Sequence, residues 1–363
     1  MFFSTITLGG FRNLIDAKVD TCGKNIFLVG PNGQGKTNFL EAVYFCSYAS
    51  SFRNAKDSEV ICKGKEECFV RADFFDIYDK VLTVGIRDGK KVISLDDRNL
   101  LDRKELLSVV SSIVFCHGDL DFVSGTSERR RWFFDQNICL YDPLYLDALR
   151  RYKKILKSRN ILLKQIIEGK NSGVLDVVDP QLAEYGLQLM KKREEEIDFF
   201  SDVFNSVYEK VSGISGIKVK YKQSWKSDSI DGVVTELREN RSKEIALGQT
   251  RTGPHRDNYI FIRNSTEYVN TASTGQKRLL ALILRVAQAL RCFEMTKKEP
   301  ILLLDDVLLE LDGEKRKNFL SFLPPYRQAF YTFLPEEPFE QYRNDNTIVY
   351  DVREGKLVYE SDR

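Results

Sequence analysis

Several features that would decide the class of a 363-residue chain at once are missing from this one. Its seven cysteines (22, 46, 62, 68, 116, 139 and 292) are odd in number, scattered, and never spaced Cys-x-x-Cys. That argues against a disulfide framework or a zinc site and fits a reducing compartment. No apolar stretch is long enough to span a bilayer. The opening "MFFSTITLGGFRN" has neither a basic leader nor a sustained apolar run, so no signal peptide is expected. Internal repeats and low-complexity segments are absent. An excess of one charge is missing too: 55 Lys and Arg face 53 Asp and Glu, so any surface for a polyanion must be local. The expectation is a cytoplasmic protein with no membrane attachment.

What remains is ordinary globular material, with 42% apolar and 30% charged residues, enough for one large domain or two moderate ones. Residues 1 to about 110 read as α/β. "FFSTITL" alternates like a half-buried strand, and "NIFLVG" is a continuous apolar strand ending in glycine. "KTNFLEAVYFCSYA" reads as a helix, and "VRADFFDI", "KVLTVGIR" and "KVISL" read as a meander around an Asp88-Gly89 turn. From Ser127 to about Val211 the pattern is helical and rich in Lys, Arg and Glu, with a break near "EGKNSG" that suggests a helical hairpin. A strand-like "IKVKYKQSW", a helix near 230–245 and renewed α/β character follow. The expected organisation is an α/β lobe split in sequence, 1–122 and 246–363, with a helical insertion at 123–245.

"GPNGQGKT" matches G-x-x-x-x-G-K-[ST] between a strand and a helix, the context a phosphate-binding P-loop requires. In the loop Gly30, Pro31, Asn32, Gly33, Gln34 and Gly35, the glycines would let backbone N–H groups face phosphates. Lys36 would reach the β- and γ-phosphates, and the Thr37 hydroxyl would hold Mg²⁺. "ILLLDD" suits a central parallel strand, and ligands bind beyond the carboxyl ends of such strands. Asp305 would position magnesium through water, and Asp306 would orient or deprotonate an attacking water. The stretch "TASTGQKRLLALILRVAQALR" puts Lys277 and Arg278, not acids, into the first turn of an apolar helix. Cations at that end make sense if an anion sits there; a capping Ser273 is the plainer account.

In this order, with Ser273, Gly275 and Gln276 following the P-loop and preceding the acidic strand, the chain resembles the ATP-binding-cassette ATPases. Within them "FRN", "GQGKTNFLEA", "SFRNAKDSEVI", "GTSERRRWFFD", "YKKILKSRN", "TGPHRDN", "TGQKR" and "ILLLDDVLLELD" resemble the RecF family of bacterial recombination mediators, from Phe11 to Asp312. The resemblance implies an ABC-type P-loop ATPase head with an inserted helical lobe. It implies ATP and Mg²⁺ as cofactors and an ATP-dependent homodimer in which Ser273, Gly275 and Gln276 meet the γ-phosphate held by the partner's P-loop. It further implies weak DNA-stimulated ATPase activity, binding of double-stranded DNA at single-strand/double-strand junctions, and help in loading RecA, with RecR as protein partner and RecO in the pathway. Leu309 stands where the family has serine ahead of "ELD", His117 and Ser127 stand where prolines are usual, and Thr332 keeps the place of a nucleotide-sensing residue.

Arg129, Arg130 and Arg131, then Arg150, Arg151, Lys153, Lys154, Lys157 and Arg159, could contact DNA phosphates. On the residues alone a solvated helix face is the favoured account, and pairing with Glu194 to Glu196 accounts for some of them. His255-Arg256-Asp257 lacks a marked nucleophile and is no hydrolase triad; a loop that senses nucleotide or orders the signature helix fits it better. Arg12-Asn13 marks either the nucleotide's surroundings or a turn. The main rival is an SMC-like structural chromosome ATPase head, disfavoured because the segment between Thr37 and Ser273 is too short for a long coiled coil. A transporter subunit is disfavoured by the basic insertion, and a small-molecule kinase leaves Ser273 to Gln276 unexplained.

Overall fold

The computed structural model of the chain describes residues 2–75, 79–169, 172–308, 311 and 313–360. Its elements begin β1 (Phe2–Gly9), β2 (Ala17–Asp20), β3 (Asn25–Val29), α1 (Lys36–Tyr48), α2 (Asp57–Val60), β4 (Cys68–Phe75), β5 (Asp79–Arg87) and β6 (Lys90–Leu95). Then come β7 (Arg98–Asn99), α3 (Arg103–Val109), β8 (Ser112–Phe115), α4 (Asp121–Ser124), α5 (Ser127–Cys139), α6 (Pro143–Ile167) and α7 (Leu175–Ser212). The chain continues with β9 (Lys218–Lys222), α8 (Ile230–Leu247), β10 (Asn258–Arg263), β11 (Thr266–Glu267) and α9 (Thr274–Thr296). It ends with β12 (Ile301–Leu304), α10 (Gly313–Ser321), β13 (Gln328–Phe333), β14 (Thr347–Arg353) and β15 (Lys356–Tyr359).

Two compact units result, one of Met1–Asp119 with Gln288–Arg363, the other of Leu120–Ala287. The second takes in residues 246–287, which the sequence pattern groups with the α/β lobe. The physical reason is pairing: β10 hydrogen-bonds to β9 on one side and β11 on the other, so the segment completes a three-stranded sheet of that unit.

The first unit holds two six-stranded sheets. One is antiparallel, ordered β2-β1-β4-β5-β6-β7, with β5 and β6 joined across Asp88-Gly89. The other runs β15-β14-β3-β13-β12-β8, parallel except for the edge strand β15. All five residues of β3 and all four of β12 are buried, as continuous apolar runs in a parallel sheet should be. Helix α1 packs against β4 and β5 of one sheet and β8 and β13 of the other. Phe39, Leu40, Val43 and Phe45 thereby join one core with Phe74, Leu82, Val114, Leu303 and Phe330.

The second unit is built on α6 and α7, which pack together and against α8. Its core joins Leu149 and Tyr152 of α6, Leu182, Ala183 and Leu189 of α7, Val233 and Leu237 of α8, and Trp225. Apolar residues at three- and four-residue spacing supply this seam. Among the described residues no helix is long and apolar enough to cross a membrane.

Candidate functional site

The loop between β3 and α1 is fixed by backbone geometry. Gly30 approaches another strand so closely that a Cβ there would lie 2.3 Å from the Val352 carbonyl oxygen. Gly35 has φ 116°, a conformation that side chains disfavour, and it precedes α1 with no side-chain cap. The first turn of α1 contains no acid. Its N–H groups are thus left for an anion, which the local positive field also favours. The back of the loop is braced by the turn between β14 and β15: the Gly355 N–H donates to the Gln34 carbonyl at 2.8 Å and the Glu354 N–H to Gln34 Oε1 at 2.7 Å.

Lys36 is buried and its ammonium donates to the Gly30 carbonyl at 2.5 Å and the Pro31 carbonyl at 2.9 Å. Burial lowers its pKa, opposed by the charges of Asp306 and Asp305. The parallel sheet brings the acidic strand end to the same place. The Thr37 hydroxyl donates to Asp305 Oδ1 at 2.8 Å, across 268 residues of chain. Burial pushes the Asp305 carboxyl up to about 6 despite that bond. Thr332 at the end of β13 lies beside both acids. Its hydroxyl accepts from the Asp306 N–H at 2.8 Å and contacts Asp306 Oδ1 at 2.8 Å and Asp305 Oδ1 at 3.3 Å. A hydroxyl and a carboxylate make a hard oxygen donor set of the kind Mg²⁺ takes. The loop, lysine, hydroxyl and paired acids therefore fit a magnesium nucleoside triphosphate. The Leu309 departure lies outside the described residues.

Two further parts of this site depend on partners that the sequence does not bring together. Glu41 of α1 is wholly buried and gathers Arg12, at 2.7 Å, with Arg53 and the Ser51 hydroxyl. These contacts hold its pKa below the usual value against the upward push of burial. The quoted stretches "FRN", "TNFLEA" and "SFRNAK" are thus one cluster at the base of α1. Asn13 belongs to it, its Oδ1 accepting from the Asn38 amide at 2.6 Å. Arg12 has φ 52°, so it stands in a turn as well. Glu337, in the loop after β13, has one buried carboxylate oxygen without a hydrogen-bond partner, and burial raises its pKa. "PEE" alone does not mark it.

Ser273, Gly275 and Gln276 belong to the Leu120–Ala287 unit. Ser273 and Gln276 form a reciprocal cap, the Ser273 N–H donating to Gln276 Oε1 at 2.8 Å and the Gln276 N–H to Ser273 Oγ at 3.3 Å. Capping is therefore real, yet Ser273 and Gly275 are exposed, and a Cβ on Gly275 would meet nothing within 4 Å. The open helix end leaves room for a ligand as well as a cap.

The basic run separates into two kinds of residue. Arg130 donates to the Val123 and Gly125 carbonyls and to Asn258 Oδ1, and Arg131 donates to the Asp257 carbonyl at 2.6 Å. Arg159, read as part of a basic surface, is wholly buried and pairs with Asp179 at 2.7 Å and Glu244 at 2.6 Å. A guanidinium there repays its desolvation only through such partners. Arg129 lies 3.8 Å from Asp121, while Lys153, Lys154 and Lys157 are exposed. The Glu196 carboxylate accepts from Asn137 and Tyr141. His255 and Asp257 are structural members of this unit. Asp257 accepts from Arg193 at 3.0 Å, Tyr221 and the Ser224 N–H. His255 Nδ1 meets the Tyr152 hydroxyl at 2.7 Å and Nε2 the Thr250 carbonyl at 3.2 Å, so Nε2 carries the proton. Burial lowers its pKa to about 4.

Fold and site together define a P-loop ATPase head of the ATP-binding-cassette type. Residues 2–357 match the family described as RecF/RecN/SMC N terminal domain. The chain is 40% identical over 352 residues to the DNA replication and repair protein RecF of Treponema pallidum (strain Nichols), covering 96% of this chain and 99% of that protein. It is 32% identical to the protein of the same name from Clostridium perfringens (strain SM101 / Type A), over 98% of this chain and 99% of the other. A solved structure of the recombination mediator protein RecF-ATP in the RecFOR pathway superposes with TM-score 0.91 at 29% identity, over 99% and 97% of the two chains. An Smc head bound to the C-winged helix domain of ScpA, at TM-score 0.53 and 17% identity, shares the fold alone. The chain belongs to the RecF family.

Proposed function

We propose that this chain is an ATP-dependent DNA-binding switch of recombination and repair. The observation that carries the reading is the Thr37–Asp305 hydrogen bond beside Lys36, which joins a phosphate loop to a magnesium-binding acid. ATP binds with its phosphates on Gly30 to Thr37, Mg²⁺ is held by Thr37 and, through water, by Asp305, and Asp306 orients the attacking water. ATP bound between two copies, with Ser273, Gly275 and Gln276 of each facing the other's γ-phosphate, closes a dimer that grips duplex DNA beside a single-strand gap. Hydrolysis opens it. The relatives' names support a task in DNA replication and repair, and the solved neighbour's name supports ATP binding and a place in the RecFOR pathway. On that reading RecR and RecO are partners, RecA loading is the outcome, and the protein works in the cytoplasm.

Sedimentation of the chain with ATP, ADP or no nucleotide, each with and without gapped DNA, tests this. A mass increase that needs ATP and grows with DNA is expected; a constant monomer in every condition would refute the switch.

A further inference from the structure

Within the Leu120–Ala287 unit lies a cavity of about 350 Å³ that the nucleotide site does not use. That volume is within the roughly 300–1,000 Å³ typical of small-ligand sites and exceeds what a bare phosphate needs. Arg131 of α5, Lys153 of α6 and Arg256 of the short turn before β10 border it. Arg193 and Asp135 also line it, but they pair with each other at 2.8 Å and cancel. Glu128 is the one other acid of the lining, so positive charge prevails. Arg256 is exposed and bound only by long contacts, 3.3 Å to Gln249 and 3.4 Å to the Thr250 carbonyl. Lys153 is exposed and makes no ion pair among the described residues. Both side-chain ends are therefore available to an anion.

The rest of the lining is the rings of Trp132, Tyr152 and His255, with Gln136 and Leu149. Trp132 stacks on Phe122 with ring centroids 5.7 Å apart and planes 19° apart, which fixes its indole. Tyr152 and His255 are locked to each other by their hydrogen bond. With both ring nitrogens engaged, His255 contributes a flat neutral surface and no further charge. Cations at the edge with fixed rings between them are what an unstacked base and its phosphate require. Lys157 stands one helical turn beyond Lys153 on the same face of α6 and extends the positive edge.

We infer that this cavity takes one unpaired nucleotide of DNA, its phosphate held by Lys153 and Arg256 and its base laid against the Trp132 and Tyr152 wall. The inference rests on the DNA-binding reading above and deepens it: the cations of α6 serve duplex and gap alike, and only this pocket reports that a strand is unpaired.

The test uses the full chain and two DNAs of one sequence, carrying 5-iodouracil either unpaired at the border of a gap or paired in uninterrupted duplex. After irradiation, crosslinks are mapped by peptide mass. The unpaired base should crosslink to Trp132 or Tyr152 and the paired base should not. Lys153→Glu with Arg256→Glu should lower the yield by about tenfold or more, with melting temperature as the check on folding. Equal yields from both DNAs, or crosslinks confined to other peptides, would overturn the proposal. An excess of 5-iodo-2′-deoxyuridine monophosphate should compete; its crosslinking there while gapped DNA does not would make free nucleotide the ligand and remove the DNA claim. A mobility shift with uninterrupted duplex separates the two failures. Duplex bound without the crosslink sinks the pocket alone, whereas no DNA bound at all sinks the reading beneath it.

Discussion

The Thr332 hydroxyl accepts the Asp306 amide at 2.8 Å and turns back to the carboxylate of the same residue, also at 2.8 Å. A hydroxyl has one proton, so donation to Asp306 leaves Asp305, at 3.3 Å, only a long contact. Asp306 stands at φ 53°, a conformation costly for a residue with a side chain, and Thr332 holds it there from both sides. Asp305 is left for Thr37.

If Asp306 serves the attacking water, Asp306→Asn should bind ATP and dimerise while turnover falls by about 10² or more. Thr332→Val, which frees Asp306 without removing it, should lower turnover by a smaller factor. Single-turnover phosphate release measures both. Wild-type rates in Asp306→Asn would move the general base elsewhere.

If Ser273 acts in trans, Ser273 and Lys36 are complementary. Ser273→Arg should block closure yet keep its own ATP affinity, whereas Lys36→Ala should lose ATP affinity with a sound fold. Each alone should fail to hydrolyse; mixed, they form one intact composite site and should recover activity, at most about half of wild type if the sites fire independently. Loss of ATP affinity in Ser273→Arg alone would show that the helix serves its own nucleotide.

Charge reversal separates the two kinds of cation in the helical unit. Reversing Lys153, Lys154 and Lys157 should weaken duplex binding and flatten its salt dependence, by about 0.9 in slope for each phosphate that is no longer neutralised. Arg159→Ala should instead cost about 3–5 kcal/mol of stability, because it removes the ion pair of buried Glu244 and leaves buried Asp179 with Arg241 alone. Denaturant titration and binding at graded salt read the two effects separately. An unchanged salt slope in the lysine variant would place the DNA surface off α6.

His255 and Asp305 should give opposite slopes of stability against pH. Burial puts His255 at about 4, below its ordinary 6.5, so the unfolded chain takes up the proton first. Its contribution is present above about 6.5 and is lost as pH falls through 4. Asp305 at about 6 lies above its ordinary 3.8, so its contribution is present below 3.8 and is lost as pH rises through 6. Melting temperatures of His255→Gln and Asp305→Asn between pH 4 and 7.5, each subtracted from wild type, should slope oppositely. Parallel curves would contradict both assignments.

Much of this was legible because the signals are local. "NIFLVG", "GPNGQGKT" and "ILLLDD" each contain their own strand, turn or acid, and the sheet merely sets them side by side. The Glu41 cluster was not legible, since a glutamate in "FLEA" looks like any solvated helix residue until Arg12 and Arg53 are brought to it. Arg159 failed for the same reason: its partners lie 20 and 85 residues away, so the run around it reads as surface. The strand "NYIFIR" went unread, and with it the pairing of β10 to β9 that draws residues 246–287 into the helical unit.

The turn at Glu354 and Gly355 closes the back of a loop that begins at Gly30, and β14 is the parallel neighbour of β3. During translation the phosphate loop is therefore among the first parts made and among the last to be braced. At ordinary elongation rates the interval is on the order of half a minute. Until then the ribosome carries a chain with Lys36 already synthesised and no finished seat for ATP. Premature termination anywhere before the last hairpin should therefore leave the loop without the two Gln34 contacts that brace it.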